Sequence, residues 1–173
     1  MIMKKRNIVV SIFILLLLGL TVLSLFNKIQ QSEQKKEVFQ SIPEFQIPDI
    51  NDRIVSDEIL KESRIVMFIY FDPDCESCRE EIKQIREDKS SLSQGQLIFF
   101  SGLSADSIRQ FLRTIDFVPP TNMLFLPDEK AILIRKMDVR TTPTIFIYRE
   151  GQLIKRYEGP VKIETLISYF TEQ

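Results

Sequence analysis

The only two cysteines of this 173-residue chain stand together, as Cys75-Glu76-Ser77-Cys78. An apolar run from Arg64 to Phe71 precedes them and reads as a buried β-strand. Arg79 to Asp88 follows, with Ile82 and Ile85 at helical spacing. A strand that delivers a CxxC onto the first turn of a helix leaves few folds open. The helix N-terminus carries partial positive charge, which favours thiolate over thiol. Two cysteines separated by two residues on that turn can close a disulfide and reopen it.

Composition removes several competing chemistries. The chain has no histidine. Ser-His and Cys-His nucleophile pairs, histidine metal sites and histidine-ligated haem are therefore excluded. Two thiolates without further Cys or His partners are a poor metal site, so neither a metal nor a cofactor is expected. A purely structural disulfide is also a poor explanation, because closing so short a loop stabilises little. The net charge of -1 gives no electrostatic reason to expect nucleic acid. With 44% apolar and 27% charged residues, the bulk of the chain is expected to fold around a core.

The N-terminal segment reads as an address. Lys4, Lys5 and Arg6 precede Ile8 to Phe26, 19 residues without a charge. As a helix that run spans about 28 Å, close to the thickness of a bilayer's hydrocarbon core. The exit, Leu23-Ser24-Leu25-Phe26-Asn27, offers no small-x-small cleavage site. The expectation is an uncleaved transmembrane signal-anchor over 8–26. Residues 1–7 then stay in the cytoplasm, 27–41 form a polar linker, and 42–173 form one domain outside, in an oxidising compartment.

Within that domain, Phe45–Pro48 and Arg53–Ser56 read as a hairpin around Asp49-Ile50-Asn51-Asp52. A helical turn is expected over Asp57–Glu62, then the long strand and the CxxC helix at 76–88. Gln96–Phe100 reads as a parallel strand. Ser104 caps a helix carrying Ile108, Phe111, Leu112 and Ile115 on one face. Met123–Leu126 is a short strand, and Asp128 caps a helix running through Ile132, Leu133 and Met137. Thr144–Tyr148 and Gln152–Tyr157 flank Glu150-Gly151 as a second hairpin. Lys162–Phe170 closes the chain as an amphipathic helix. The order predicts an α/β fold, with a central mixed sheet flanked by helices.

That order, with CxxC after the first long strand, resembles the thioredoxin fold. Three features carry the likeness together: Phe71-Asp-Pro-Asp-Cys75-Glu-Ser-Cys78, Arg140-Thr-Thr142-Pro143-Thr before the second hairpin, and Gly159 before the last helix. The anchor, the extra N-terminal hairpin and Cys-x-x-Cys-x-x-Glu resemble more narrowly the TlpA/ResA-like group of bacterial membrane-anchored thiol-disulfide oxidoreductases. The resemblance implies Cys75 as nucleophile, Cys78 as resolving cysteine and a redox disulfide between them. It implies Glu81 as a proton relay, and Thr142 with a cis Pro143 as the edge that receives substrate. It further implies a disulfide-containing client protein, an electron donor in the membrane, and a domain on the periplasmic or extracytoplasmic side. A monomer is expected. In place of the buried Asp that ordinary thioredoxins carry on the preceding strand, this chain has Ile69. Asp74 replaces the family's usual Trp, and Glu76-Ser77 lacks its usual Pro. The acids Asp72, Asp74, Glu76, Glu80 and Glu81 are expected to disfavour the thiolate and make the dithiol a reductant. The competing reading is a non-enzymatic accessory protein that holds a client and uses the CxxC as a redox sensor.

Overall fold

The computed structural model describes residues 19–24 and 40–171. The chain divides into two compact units, residues 1–37 and 38–173. In the first, residues 19–24 are helical (α1). Among the described residues no helix is long and apolar enough to cross a membrane. The expected anchor over 8–26 lies largely outside them, as does most of the expected linker.

The second unit is built on a five-stranded sheet: β3 (Ile65–Tyr70), β4 (Gln96–Ser101), β5 (Met123–Pro127), β6 (Thr144–Arg149) and β7 (Gln152–Glu158). The spatial order is β5-β4-β3-β6-β7, which puts the strand preceding the CxxC in the centre. β3 pairs parallel with β4, and β4 with β5, through the crossover helices α3 (Glu76–Glu87) and α4 (Ala105–Thr114). β6 runs antiparallel to both β3 and β7. A short helix α5 (Ile132–Lys136) leads into β6, and α6 (Ile163–Thr171) ends the chain.

The continuous apolar runs follow from burial on both sheet faces. Ile65, Met67, Ile69 and Phe71 point into one core with Ile82 and Ile85 of α3, Phe111 of α4 and Leu166 of α6. Val66 and Phe68 point into the other, with Val55, Leu60, Leu133 and Tyr148. β4 and β6 split their residues between the same two cores with the same alternation. Phe99 and Phe125 stack across adjacent strands with centroids 4.4 Å apart.

The N-terminal hairpin forms from β1 (Gln46–Pro48) and β2 (Ile54–Ser56), paired antiparallel and followed by α2 (Asp57–Leu60). Asp49 closes its turn, and Ile50 N–H donates to Phe125 O on the edge strand β5. The second hairpin turns through Glu150 and Gly151, both with positive φ, as a two-residue turn between twisted strands requires.

Two local details differ from the sequence reading. Gln40 and Ser41, assigned to the linker, belong to the sheet's margin: Leu153 N–H donates to Gln40 O, and Ser41 bridges Gln152. Asp128 caps α5 from a distance rather than starting it. Ala131 intervenes in the left-handed region, and the Asp128 carboxylate reaches over to accept from Ile132 N–H at 2.6 Å and Ile134 N–H at 2.9 Å.

Candidate active site

Phe71 follows the end of β3, fully buried and held by its N–H to Phe100 O. The chain then turns sharply. Asp72 Oδ1 accepts from Asp74 N–H at 2.9 Å, and Asp72 O accepts from Cys75 N–H at 3.0 Å. This turn places Cys75 at the N-cap of α3 with extended backbone. An N-cap side chain normally accepts from the N–H one turn into the helix. Here the acceptor is sulfur, and Cys78 N–H donates to Cys75 Sγ at 3.3 Å. Ser77 Oγ lies 3.1 Å from the same sulfur. On the far side Thr142 O stands 3.9 Å from it. The Thr142–Pro143 peptide is cis, and Pro143 O accepts from Gly159 N–H at 2.8 Å. The structure thus brings Cys75, Thr142 and Pro143 together from positions nearly 70 residues apart in the chain.

Both cysteines are free thiols here. They differ in burial: Cys75 is partly exposed, whereas Cys78 is 1% exposed in the core. Partial burial opposes ionisation of Cys75. Hydrogen bonds from the Cys78 thiol, the Ser77 hydroxyl, the Cys78 N–H and the Thr142 side chain outweigh it, and the thiol is held below its ordinary value. Cys78 is driven the other way. Burial first, then its bond to Cys75, pushes it up to about 12.

Glu81 lies on the same face of α3 as Cys78 and is 4% exposed. It is therefore a buried carboxyl and not a solvated helix charge like its exposed neighbour Glu80. Its Oε1 accepts from Val161 N–H at 3.0 Å, and its Oε2 is buried without a partner. Burial raises it to about 7, against the lowering effect of the Val161 bond. Its negative charge in turn works against ionisation of Cys78. A buried carboxyl with one free oxygen can take up or release a proton near neutrality.

The expectation that five acids oppose the nucleophile's thiolate is corrected by this geometry. Asp74, Glu76 and Glu80 are exposed, and Asp72 is occupied by the turn. Burial and the hydrogen bonds that outweigh it set the ionisation of Cys75, and no carboxylate is among the largest causes. Of the five, Asp72 lowers Cys78 through its backbone, and Glu81 raises it through its charge.

Sequence reasoning missed two participants. Val161 supplies the only hydrogen-bond partner of Glu81 among the described residues, through a contact spanning 80 residues that no local pattern signals. Ser77 was visible as an unusual residue in the motif, but its contact with Cys75 was not anticipated.

Residues 56–173 match the thioredoxin-like domain family. No curated protein matches the sequence. Among solved structures, StoA from Bacillus subtilis superposes with a TM-score of 0.60 at 20% identity, covering 74% of this chain and 96% of StoA. A thiol:disulfide interchange protein of the thioredoxin family from Chlorobium tepidum gives 0.62 at 18% identity, covering 76% and 94%. The peroxidoxin BcpB from Mycobacterium tuberculosis gives 0.64 at 11% identity, covering 76% and 94%. At these identities the likeness shows the fold. Because the fold is shared with a peroxidoxin, the chemistry has to be argued from the site.

Proposed function

The chain belongs to the thioredoxin-like domain family, and from that premise we propose that it is a thiol-disulfide oxidoreductase reducing disulfides in client proteins through Cys75 and Cys78. The observation that carries this reading is the division of labour between the two sulfurs. One is partly exposed and held toward thiolate, and the other is buried and held as thiol one helical turn away. Two structural neighbours agree in kind: one is a thiol:disulfide interchange protein and another a secreted disulfide oxidoreductase.

The chemistry runs in two exchanges. The Cys75 thiolate attacks one sulfur of a client disulfide, forming a mixed disulfide and releasing the client's other sulfur as thiolate. Cys78 then gives up its proton and attacks Cys75 Sγ. The Cys75–Cys78 disulfide forms and the second client sulfur leaves. Glu81, with its buried Oε2 free, is the acceptor for the Cys78 proton. The Thr142–Pro143 loop, facing Cys75, offers a backbone edge to an extended client segment. The direction, reduction rather than oxidation, rests on the resemblance of Cys-x-x-Cys-x-x-Glu to the TlpA/ResA-like group; the lowered Cys75 thiol works the other way, because a stabilised thiolate stabilises the reduced pair.

The tether completes the reading. The uncharged run 8–26 behind Lys4, Lys5 and Arg6 would anchor the domain by one span, on the extracytoplasmic face of a bacterial inner membrane. Electrons would return from a donor in that membrane. This combination supports reading the chain as one of the TlpA/ResA-like group.

Substituting Cys78→Ser tests the reaction. The variant should accumulate client proteins covalently joined through Cys75 and released by dithiothreitol. Clients retained without a covalent bond would instead support the accessory-protein reading.

A further inference from the structure

Strand β6 begins at Thr144, whose backbone is paired on both sides, with Tyr70 of β3 and Glu158 of β7. Its side chain is buried, as are the apolar Ile145, Phe146 and Ile147 that follow. A valine would fill the same space, and a buried hydroxyl is costly unless it is bonded. Thr144 Oγ1 reaches back to donate to Thr141 O at 2.6 Å, and Thr141 Oγ1 lies 3.3 Å from it. A hydroxyl carries one proton. With the Thr144 proton committed to Thr141 O, the Thr141 hydroxyl is the donor in the second contact. The two threonines thus clasp the backbone on either side of Thr142 and Pro143. Thr144 is the fixed half of the clasp, anchored in the sheet, and Thr141 is the exposed half. Between them lies Thr142, whose carbonyl stands 3.9 Å from Cys75 Sγ.

We propose that Thr144 is a positioning residue for the client: its hydroxyl, through Thr141, fixes Thr142 at the rim of Cys75 and so aligns an extended client segment with the sulfur. This rests on the oxidoreductase reading above and assigns the side chain that holds the receiving edge in place. Thr144 has no contact with either sulfur, and no proton or electron passes through it. Its effect is on geometry. Exchange requires the client disulfide in line with the attacking sulfur, and small misplacements of bound reactants are costly in rate. A small disulfide without a peptide backbone has no use for the edge and finds its own approach. Loss of the clasp therefore separates the two kinds of substrate, whereas damage to the dithiol itself would slow both.

The test compares the rates at which the pre-reduced full-length protein reduces insulin and hydroxyethyl disulfide. Thr144→Val should slow insulin about tenfold, the size expected of one lost positioning hydrogen bond, and leave hydroxyethyl disulfide within about twofold. Thr141 is exposed, so water takes up its carbonyl in this variant and the fold survives. Thr144→Ser, which keeps the hydroxyl, should stay close to the parent on both substrates. Backbone amide order parameters at Thr141 and Thr142 should fall in Thr144→Val and hold in Thr144→Ser. Equal losses on the two disulfides would overturn the proposal, as would no loss on insulin or a Ser variant no better than the Val one. Order parameters unchanged in Thr144→Val would overturn the clasp itself. A parent that reduced neither disulfide would overturn the functional reading and the client role with it, while the order parameters still decided whether Thr144 holds the loop.

Discussion

Two buried carboxylates in this molecule are satisfied very differently. Asp49, 1% exposed at the tip of the first hairpin, has both oxygens occupied. Its Oδ1 accepts from Asn51 N–H at 2.7 Å and Arg53 N–H at 3.0 Å, and its Oδ2 meets the Arg53 guanidinium at 2.6 Å. Glu81, 4% exposed beneath the CxxC, has one backbone donor and one empty oxygen. The first arrangement holds a turn closed. The second leaves a carboxyl short of partners, raised to about 7, beside the thiol that loses a proton in the proposed exchange. Burial alone does not mark a functional acid, whereas burial with an incomplete set of partners does.

The contrast can be broken at either end. Asp49→Ala strips the hairpin turn of its acceptor and leaves two backbone N–H groups and Arg53 without it. It should cost about 2–3 kcal/mol in chemical denaturation, with disulfide exchange per folded molecule unchanged. Glu81→Gln should do the reverse, slowing exchange about a hundredfold at neutral pH while the protein remains folded. If the Asp49 variant lost exchange and the Glu81 variant kept it, the two carboxylates would have been assigned the wrong way round.

A finer test uses pH. Burial lifts Glu81 from 4.5 to about 7, so between those values the folded state binds more protons than the unfolded state. Its contribution is fully present below about pH 4.5 and is lost as pH rises through about 7, a change of at most about 3 kcal/mol. Glu81→Gln should flatten that slope, as read from denaturation midpoints across the range. The smallest effect belongs to Tyr148, whose hydroxyl is buried without a partner in the opposite core. Tyr148→Phe removes an unpaired polar group and should be neutral or stabilising by less than about 1 kcal/mol, with exchange unchanged.

Much of this architecture is written locally. The apolar run before Cys75 had to be a strand covered on both faces, and it became the central one. Glu150-Gly151 between two strand-forming runs had to be a tight hairpin turn, and both residues take positive φ. Other features depend on what the fold brings together. Nothing near Val161 announces that its N–H will meet Glu81, and nothing in Ala131 announces a left-handed backbone ahead of α5. The pairing of Gln40 and Ser41 with β7 was hidden because a polar segment without alternation carries no strand signal. The acids around the CxxC misled in the same way. Charge can be counted in a sequence, but which carboxylates face the sulfurs is decided by burial, and only Glu81 does.

The central claim is that Cys75 and Cys78 form a reversible redox pair poised for reduction. The most direct test is the equilibrium of the protein with glutathione or dithiothreitol buffers of known potential, following the Cys75–Cys78 disulfide by mass. The account predicts a single two-electron transition below about −220 mV, nearer thioredoxin than DsbA. A transition near about −120 mV would contradict it and make the protein an oxidant.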